Sequence, residues 1–259
     1  MIFYFSGSGN SYATAKKIAD ATNDTLVNIA DAMYHQKFAY TLQTGEKLGF
    51  VFPVYAWAPP KIVEQFIQHL ELYHDKQTYI YAVCTCGQSI GETMYIFDAA
   101  LQANGLKLCS GFSVVMPDNY AVLFKAPSLQ EQQRILSQAD TVIGWVIRSI
   151  LLERRNFYRI TKGKHSRLLS NVVNPLFLRF ATKTKPFYAT KDCVGCGICE
   201  KVCNAHCIAM RNNTPHWTNP KCHMCMACLQ HCPTSAIQYG RKTIKKGRYL
   251  HPIYQKHKE

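Results

Sequence analysis

The cysteines are where this sequence could do chemistry. Cys193, Cys196, Cys199 and Cys203 follow the spacing C-x2-C-x2-C-x3-C, and Cys222, Cys225, Cys228 and Cys232 repeat it 29 residues later. This is the run used to hold cubane iron–sulfur clusters. Three thiolates two residues apart wrap three corners of one cubane on a tight turn. The fourth cysteine starts a short helix that points at the neighbouring cubane. Cys193, Cys196 and Cys199 are therefore expected to share one [4Fe–4S] cluster with Cys232. Cys222, Cys225 and Cys228 are expected to share the other with Cys203. Structural zinc is the competing chemistry, but zinc uses paired C-x2-C knuckles closed by four ligands and has no need of a triple-plus-one run twice over.

Superposing the repeats sets Asn204-Ala-His-Cys207-Ile208 on Pro233-Thr-Ser-Ala236-Ile237. Cys207 thus falls where the other half has a small core residue, and it reads as a buried packing cysteine. Asn204 stands where proline normally follows the fourth cysteine, which leaves Cys203 the least secure ligand. His206, His223 and His231 read as surface or supporting residues, because the thiolates already saturate both cubanes. Residues 186–240 resemble the bacterial two-cluster ferredoxins. That resemblance implies low-potential, one-electron transfer.

A second candidate site lies at the other end of the chain. Ser6-Gly7-Ser8-Gly9-Asn10-Ser11 follows a short apolar run and opens a helical pattern. Two glycines let the backbone curl so that amides point inward, and a helix N-terminus attracts an anion. With hydroxyls but no Lys or Arg, the loop suits a monophosphate held by neutral donors. It lacks the Gly-Lys-Ser/Thr of a P-loop and the third glycine of a dinucleotide fingerprint, since position 12 is Tyr. The loop Pro53-Val54-Tyr55-Ala56-Trp57 offers two aromatics as stacking faces for a flat ring. Thr85-Cys86-Gly87-Gln88 offers backbone to edge that ring. Cys84 and Cys86 read as small loop residues against the ring rather than a redox pair, and Cys109 as core.

The elements that must position these loops alternate strand and helix. Strand patterns fall at Ile2–Phe5, Thr25–Ile29, Lys47–Phe52, Gln77–Val83 and within Leu106–Met116. Helical patterns fall at about Asn10–Ala21, after Pro59-Pro60 with Ile62, Val63, Phe66, Ile67 and Leu70 at helical spacing, at Gly91–Ala103, and from a Ser128 cap to about Glu153. This predicts an α/β fold, a parallel sheet covered on both faces, with ligands beyond the strand C-termini. Residues 1–153 resemble the flavodoxin family through the loops after strands one, three and four. The resemblance implies FMN and a five-stranded sheet of order 2-1-3-4-5. The whole chain then resembles a flavodoxin–ferredoxin fusion, an iron–sulfur flavoprotein. The organisation expected is a flavodoxin-like FMN-binding domain (1–153), a basic connector (154–185) helical around Ser166–Phe180, a small α+β dicluster ferredoxin domain (186–240) and a basic tail (241–259).

Composition sets the remaining bounds. The 259 residues are 47% hydrophobic and 18% charged, which excludes a disordered chain. No apolar run reaches the length of a membrane span, and Arg148 cuts the best stretch, Val142–Leu152. The opening Met-Ile-Phe-Tyr-Phe has no basic leader, so a cytoplasmic location with reduced cysteines is expected. Residues 1–153 carry 10 Lys+Arg against 13 Asp+Glu, and residues 154–259 carry 20 against 3. The basic half balances anionic clusters and suits docking of an acidic redox partner protein. Val142–Phe180, basic and amphipathic in places, suits peripheral membrane contact. No recognised nucleic-acid module is present, so no nucleic-acid partner is expected. The leading functional reading is an electron-transfer iron–sulfur flavoprotein that couples one- and two-electron steps, with no catalytic acid or base assigned. The alternative is a redox sensor with structural clusters that binds nucleic acid or a membrane surface.

Overall fold

The computed structural model describes residues 1–254. The chain folds as two compact units: residues 1–6, 10–116 and 133–175 form one, and residues 7–9, 117–132 and 176 onward form the other.

The first unit runs β1 (Ile2–Tyr4), α1 (Asn10–Thr22), β2 (Leu26–Asn28), α2 (Ile29–Tyr34), β3 (Ala39–Thr41), β4 (Leu48–Pro53), α3 (Lys61–His69), β5 (Glu71–Tyr73), β6 (Ile80–Cys86), α4 (Thr93–Ala103), β7 (Ser110–Val115), most of α5 (Leu129–Leu151) and β8 (Phe157–Arg159). Its main sheet has the order β2-β1-β4-β6-β7-β8, every pair parallel. The five expected strands take the expected order, and the fold is a flavodoxin-like parallel sheet. The correction is a sixth strand: β8 lies in the basic connector and pairs Phe157–Arg159 with Ser110–Phe112. Three residues with no apolar run give no strand signal. A further parallel pair, β3 with β5, forms its own two-stranded sheet.

Burial follows from topology. β6 is buried at every residue, as a central strand between two helix layers must be. α3 turns Ile62, Val63, Phe66 and Ile67 inward, and the two prolines sit just before its first residue. Asn28 caps α2 through the Ala30 amide at 2.9 Å. Ser128 caps α5 by accepting from the Glu131 amide at 3.3 Å.

After β8 the connector is helical over residues 166–181, as the sequence predicts. It alternates α6 (Ser166–Leu168), a π-helical turn (Leu169–Val173), α7 (Asn174–Leu176) and a second π-helical turn (Phe177–Ala181).

The second unit holds β9 (Phe187–Ala189), α8 (Ile198–Lys201), β10 (Ile208–Arg211), β11 (Thr214–Trp217), α9 (Ala227–Gln230) and β12 (Ile237–Tyr239). β9 pairs antiparallel with β12, and β10 with β11. Phe187 stacks on Trp217 with centroids 5.3 Å apart and planes 10° from parallel. The residues read as a basic tail fold back here as far as 254. The Tyr249 amide donates to Gln230 Oε1 at 2.8 Å, and Arg248 donates to the Ile237 carbonyl at 2.8 Å. The tail's last residues, 255–259, lie outside the described residues.

Candidate cofactor sites

The two cysteine runs fold alike, residue for residue. Helix α8 begins five residues after Cys193, and α9 five after Cys222. Gly195 and Gly197 have left-handed φ values of 68° and 73°, and Met224 and Met226 at the same places have 53° and 59°. Past each fourth cysteine, His206 and Ser235 are also left-handed, at 45° and 55°. The amide of Cys207 donates to Cys203 Sγ at 3.4 Å, and that of Ala236 to Cys232 Sγ at 3.2 Å. The same turn is thus built twice, with backbone donors aimed at sulfur. Such hydrogen bonds tune a cluster's potential.

Cys193, Cys196, Cys199 and Cys232 line one cavity together with Ile198, Met210 and Ile237. The three neighbours and the distant fourth cysteine expected to share a cluster are therefore brought together. Among the described residues no three His, Cys, Asp or Glu side chains converge on a point as a single metal ion requires. A cubane takes one thiolate at each of four corners, so its ligands line a cavity instead. Four cysteines on one cavity are the donor set such a cluster would take.

The other set is more deeply placed. Burial raises the thiols of Cys225 and Cys228, and Cys225, Cys203, Cys199 and Cys207 lie near enough to raise Cys228 further. Burial likewise pushes Cys199 up to about 11. Thiols held this high are protonated at neutral pH, so iron bound there would displace protons. Asn204 explains its own departure from proline, because its amide nitrogen reaches Cys225 Sγ at 3.4 Å. Cys207 is buried, with its sulfur 3.6 Å from that of Cys203. The Cys203 bond lowers the Cys207 thiol, but hydrogen bonding to Cys222 and burial outweigh it, leaving the thiol at about 12. Burial lowers His223 to about 4, so its ring is neutral at pH 7.

In the first unit, Ser6, Asn10 and Ser11 after β1 and the loops at the C-terminal ends of β4 and β6 carry most of the expected flavin residues. Asn10 and Ser11 open α1, which has no acidic residue in its first turn. The first amides of a helix lack internal acceptors, and nothing there repels an anion. Ser11 Oγ lies 2.8 Å from Thr85 Oγ1, which links the first loop to the third. Those two hydroxyls are thus engaged with each other, a partnership the sequence does not announce. Residues 53–58 make a tight turn with Ala56 and Trp57 left-handed at 46° and 62°, closed by Tyr55–Ala58 hydrogen bonds in both directions. Two consecutive non-glycine residues in this conformation are strained, and such strain clusters at binding sites. The Trp57 indole donates to Ser89 Oγ at 3.3 Å, joining the second loop to the third. The Tyr55 ring meets Phe5 edge-on at 6.2 Å. Pro53, Val54 and Gly87 are half-buried, Cys86 is buried and Gln88 is exposed. Cys84 is wholly buried, which raises its thiol well above the usual value and leaves it inert beside Cys86.

Gly7, Ser8 and Gly9 group with the second unit. A Cβ on Gly7 would land on the carbonyl oxygen of Cys225, so only glycine permits this approach. A side chain on Gly9 would meet His251 and Tyr254. Ser8 Oγ accepts from Asn119 Nδ2, which leaves its own proton for another acceptor, and the Ser8 carbonyl accepts from the His251 amide at 2.8 Å. The carboxyl of Asp118, which follows β7, is raised by burial and accepts the Tyr120 amide at 2.7 Å.

Sequence reasoning missed the residues that seat the second flavin loop. Ser170 Oγ donates to the Trp57 carbonyl at 2.7 Å, and Asn174 Nδ2 donates to the Tyr55 carbonyl at 3.0 Å. Their signal was a polar residue at every fourth position, 166, 170 and 174, of a stretch read as a basic, partly helical connector.

With this geometry in hand, comparison with known proteins bears on identity. A family model for a flavodoxin domain matches residues 1–119, and a model for a 4Fe-4S dicluster domain matches residues 192–237. The chain therefore joins a flavodoxin domain to a dicluster ferredoxin domain. A flavodoxin domain suggests FMN, a dicluster domain suggests iron–sulfur clusters, and the two together suggest electron transfer. No curated protein matches. Among solved structures, a flavoprotein from Bacteroides uniformis is 21% identical over 44% of this chain and 88% of its own, with a TM-score of 0.34. An azoreductase from Bacillus anthracis is 12% identical over 56% and 97%, at 0.34. Rubredoxin oxygen:oxidoreductase from Desulfovibrio gigas is 17% identical over 58% and 36%, at 0.32. Scores this low carry no argument about activity.

Proposed function

We propose that the protein is an electron-transfer iron–sulfur flavoprotein that holds two [4Fe–4S] clusters and one FMN and couples one- to two-electron redox steps. The observation that carries the reading is the cysteine turn built twice in one chain with a flavodoxin domain. When bound, FMN accepts electrons singly or in pairs while each cubane passes one at a time. The chain's own part is binding and tuning. Cys193, Cys196, Cys199 and Cys232 would hold one cluster. Cys203, Cys222, Cys225 and Cys228 would hold the other. The Cys207 and Ala236 amides donate to the fourth sulfurs. Ser6–Ser11 would hold the FMN phosphate, and residues 53–57 and 85–88 would flank the ring.

The protein purified without oxygen should contain about eight irons, as much acid-labile sulfide, and one FMN. Zinc without sulfide would end the cluster reading. Limiting dithionite should reduce clusters and flavin in the same molecules. A flavin that stays oxidised beside reduced clusters, at a potential that permits its reduction, would end the coupling. An acidic carrier protein is the proposed partner. Lys246 is committed to the Leu123 carbonyl at 2.8 Å, so the exposed Arg241, Lys242 and Lys245 are the cations to reverse. Changing the three to Glu should slow reduction by an acidic ferredoxin and flatten its salt dependence, with cofactor content intact.

A further inference from the structure

The helical run 166–181 buries polar side chains on one face and exposes a row of apolar ones on another. Three polar residues point inward, although Asn171 is exposed: Ser166 donates to Glu92 Oε1 at 2.6 Å, Ser170 Oγ also accepts the Glu92 amide at 2.8 Å, and Asn174 reaches the Tyr55 carbonyl. Ser170 and Asn174 are 4% and 7% exposed. Four apolar residues are left in water, while Leu169, Val173, Phe177 and Leu178 are half-buried. Leu168 is 58% exposed and Val172 47%, and the pattern continues every fourth residue at Leu176, 51%, and Phe180, 56%. A surface helix of a globular protein ordinarily does the reverse. The π-helical turns fit this spacing, because their i→i+5 bonds widen the turn and keep a four-residue repeat in line. Along the stretch itself the charge has one sign. Residues 154–185 hold nine Lys or Arg and no Asp or Glu. Lys164, Arg167, Arg179, Lys183 and Lys185 are exposed.

We propose that Leu168, Val172, Leu176 and Phe180 enter the interface of an anionic lipid membrane, with the flanking cations on the headgroup phosphates. An acidic protein would answer the charge, but the unbroken apolar stripe within a purely cationic stretch matches an interfacial helix better, where apolar side chains enter the acyl boundary and Lys and Arg stay at headgroup level. Among the described residues no helix is long and apolar enough to cross a membrane, so the contact is one that lies on the surface. Within the first unit, hydrogen bonds from Ser166, Ser170 and Asn174 to Glu92, Trp57 and Tyr55 hold residues 166–174 with Leu168 and Val172 outward.

The test is co-sedimentation of the cofactor-loaded full chain with vesicles of phosphatidylcholine alone and of phosphatidylcholine with phosphatidylglycerol. The protein should pellet with the anionic vesicles and stay in solution with the neutral ones. Changing Leu168, Val172, Leu176 and Phe180 together to Gln should weaken binding to anionic vesicles at least tenfold, with iron and flavin contents unchanged because all four side chains face water. Changing Lys164, Arg167 and Lys183 to Glu should abolish it at physiological salt. Three results would each overturn the proposal: no binding to anionic vesicles, binding that the Gln variant retains, or a soluble dimer that the Gln variant dissociates, which would make a second copy the occupant.

Discussion

The two cysteine runs share a backbone and differ in what they use to make it. Around Cys196 the left-handed positions are Gly195 and Gly197, and around Cys225 they are Met224 and Met226. A side chain in that conformation costs about 1–2 kcal/mol per residue. The first run avoids the cost and has open space where a Gly197 side chain would go. The second accepts it, and both methionines are buried in the unit's core with Leu229 and Ile208. A flexible, unbranched thioether fills irregular gaps there. Local preference therefore does not dictate the turn, since two methionines take the conformation that two glycines take. The environments also differ, since Cys196 is exposed and no cysteine of the second run is. Solvent exposure is one determinant of cluster potential, so the two sites are not interchangeable.

The largest effect should come from removing a ligand from each run. Cys196→Ala and Cys228→Ala should each lose about four of the eight irons, and loss of a metal centre belongs to the class of changes above about 4 kcal/mol. Cys228→Ala should also unfold at lower temperature than Cys196→Ala, because its site lies in the core. Iron analysis and anaerobic melting check both statements. Equal melting temperatures would mean that the burial difference has no energetic weight.

Much of this comparison was legible in the sequence, for a physical reason. Thiolate ligation fixes spacing, so the doubled turn and the buried position of Cys207 could be read from the repeat. The five main strands and the Ser128 cap were equally readable, because apolar runs and capping residues are local signals. What was not legible depends on distant partners. β8 exists because Ser110–Phe112 offers an open edge, not because Phe157-Tyr-Arg favours a strand. Ser170 and Asn174 matter only because the carbonyls of Trp57 and Tyr55 face them. Nor could the sequence show that Ser11 would meet Thr85, since the two are 74 residues apart.

A smaller effect sharpens the glycine–methionine contrast. Met226→Gly relieves the left-handed strain but empties core volume. Removing a buried methionine side chain costs about 2–5 kcal/mol, which exceeds the strain recovered. The variant should be less stable by about 1–3 kcal/mol although glycine suits the backbone better. Gly197→Met adds strain in open space and should cost only about 1–2 kcal/mol. Denaturant midpoints of the cluster-loaded proteins decide the matter. A neutral or stabilising Met226→Gly would show that strain, not packing, governs the second run.

The smallest effect concerns the fifth cysteine of the repeat. Cys207 occupies the position of Ala236, and both donate a main-chain amide to the sulfur four residues back. That donor belongs to the backbone, so Cys207→Ala keeps it. What the substitution removes is a buried sulfur 3.6 Å from Cys203 Sγ. Iron content should be unchanged and stability should fall by only about 1 kcal/mol, the scale of a small buried group. The potential of one cluster should shift while the other stays, because a hydrogen-bonding neighbour of one ligand sulfur is gone. Ala236→Cys should give the mirror result at the other cluster, provided the wall there yields to the added sulfur. If Cys207→Ala loses irons, Cys207 is a ligand, and the repeat has misled at the one place where its two halves carry different chemistry.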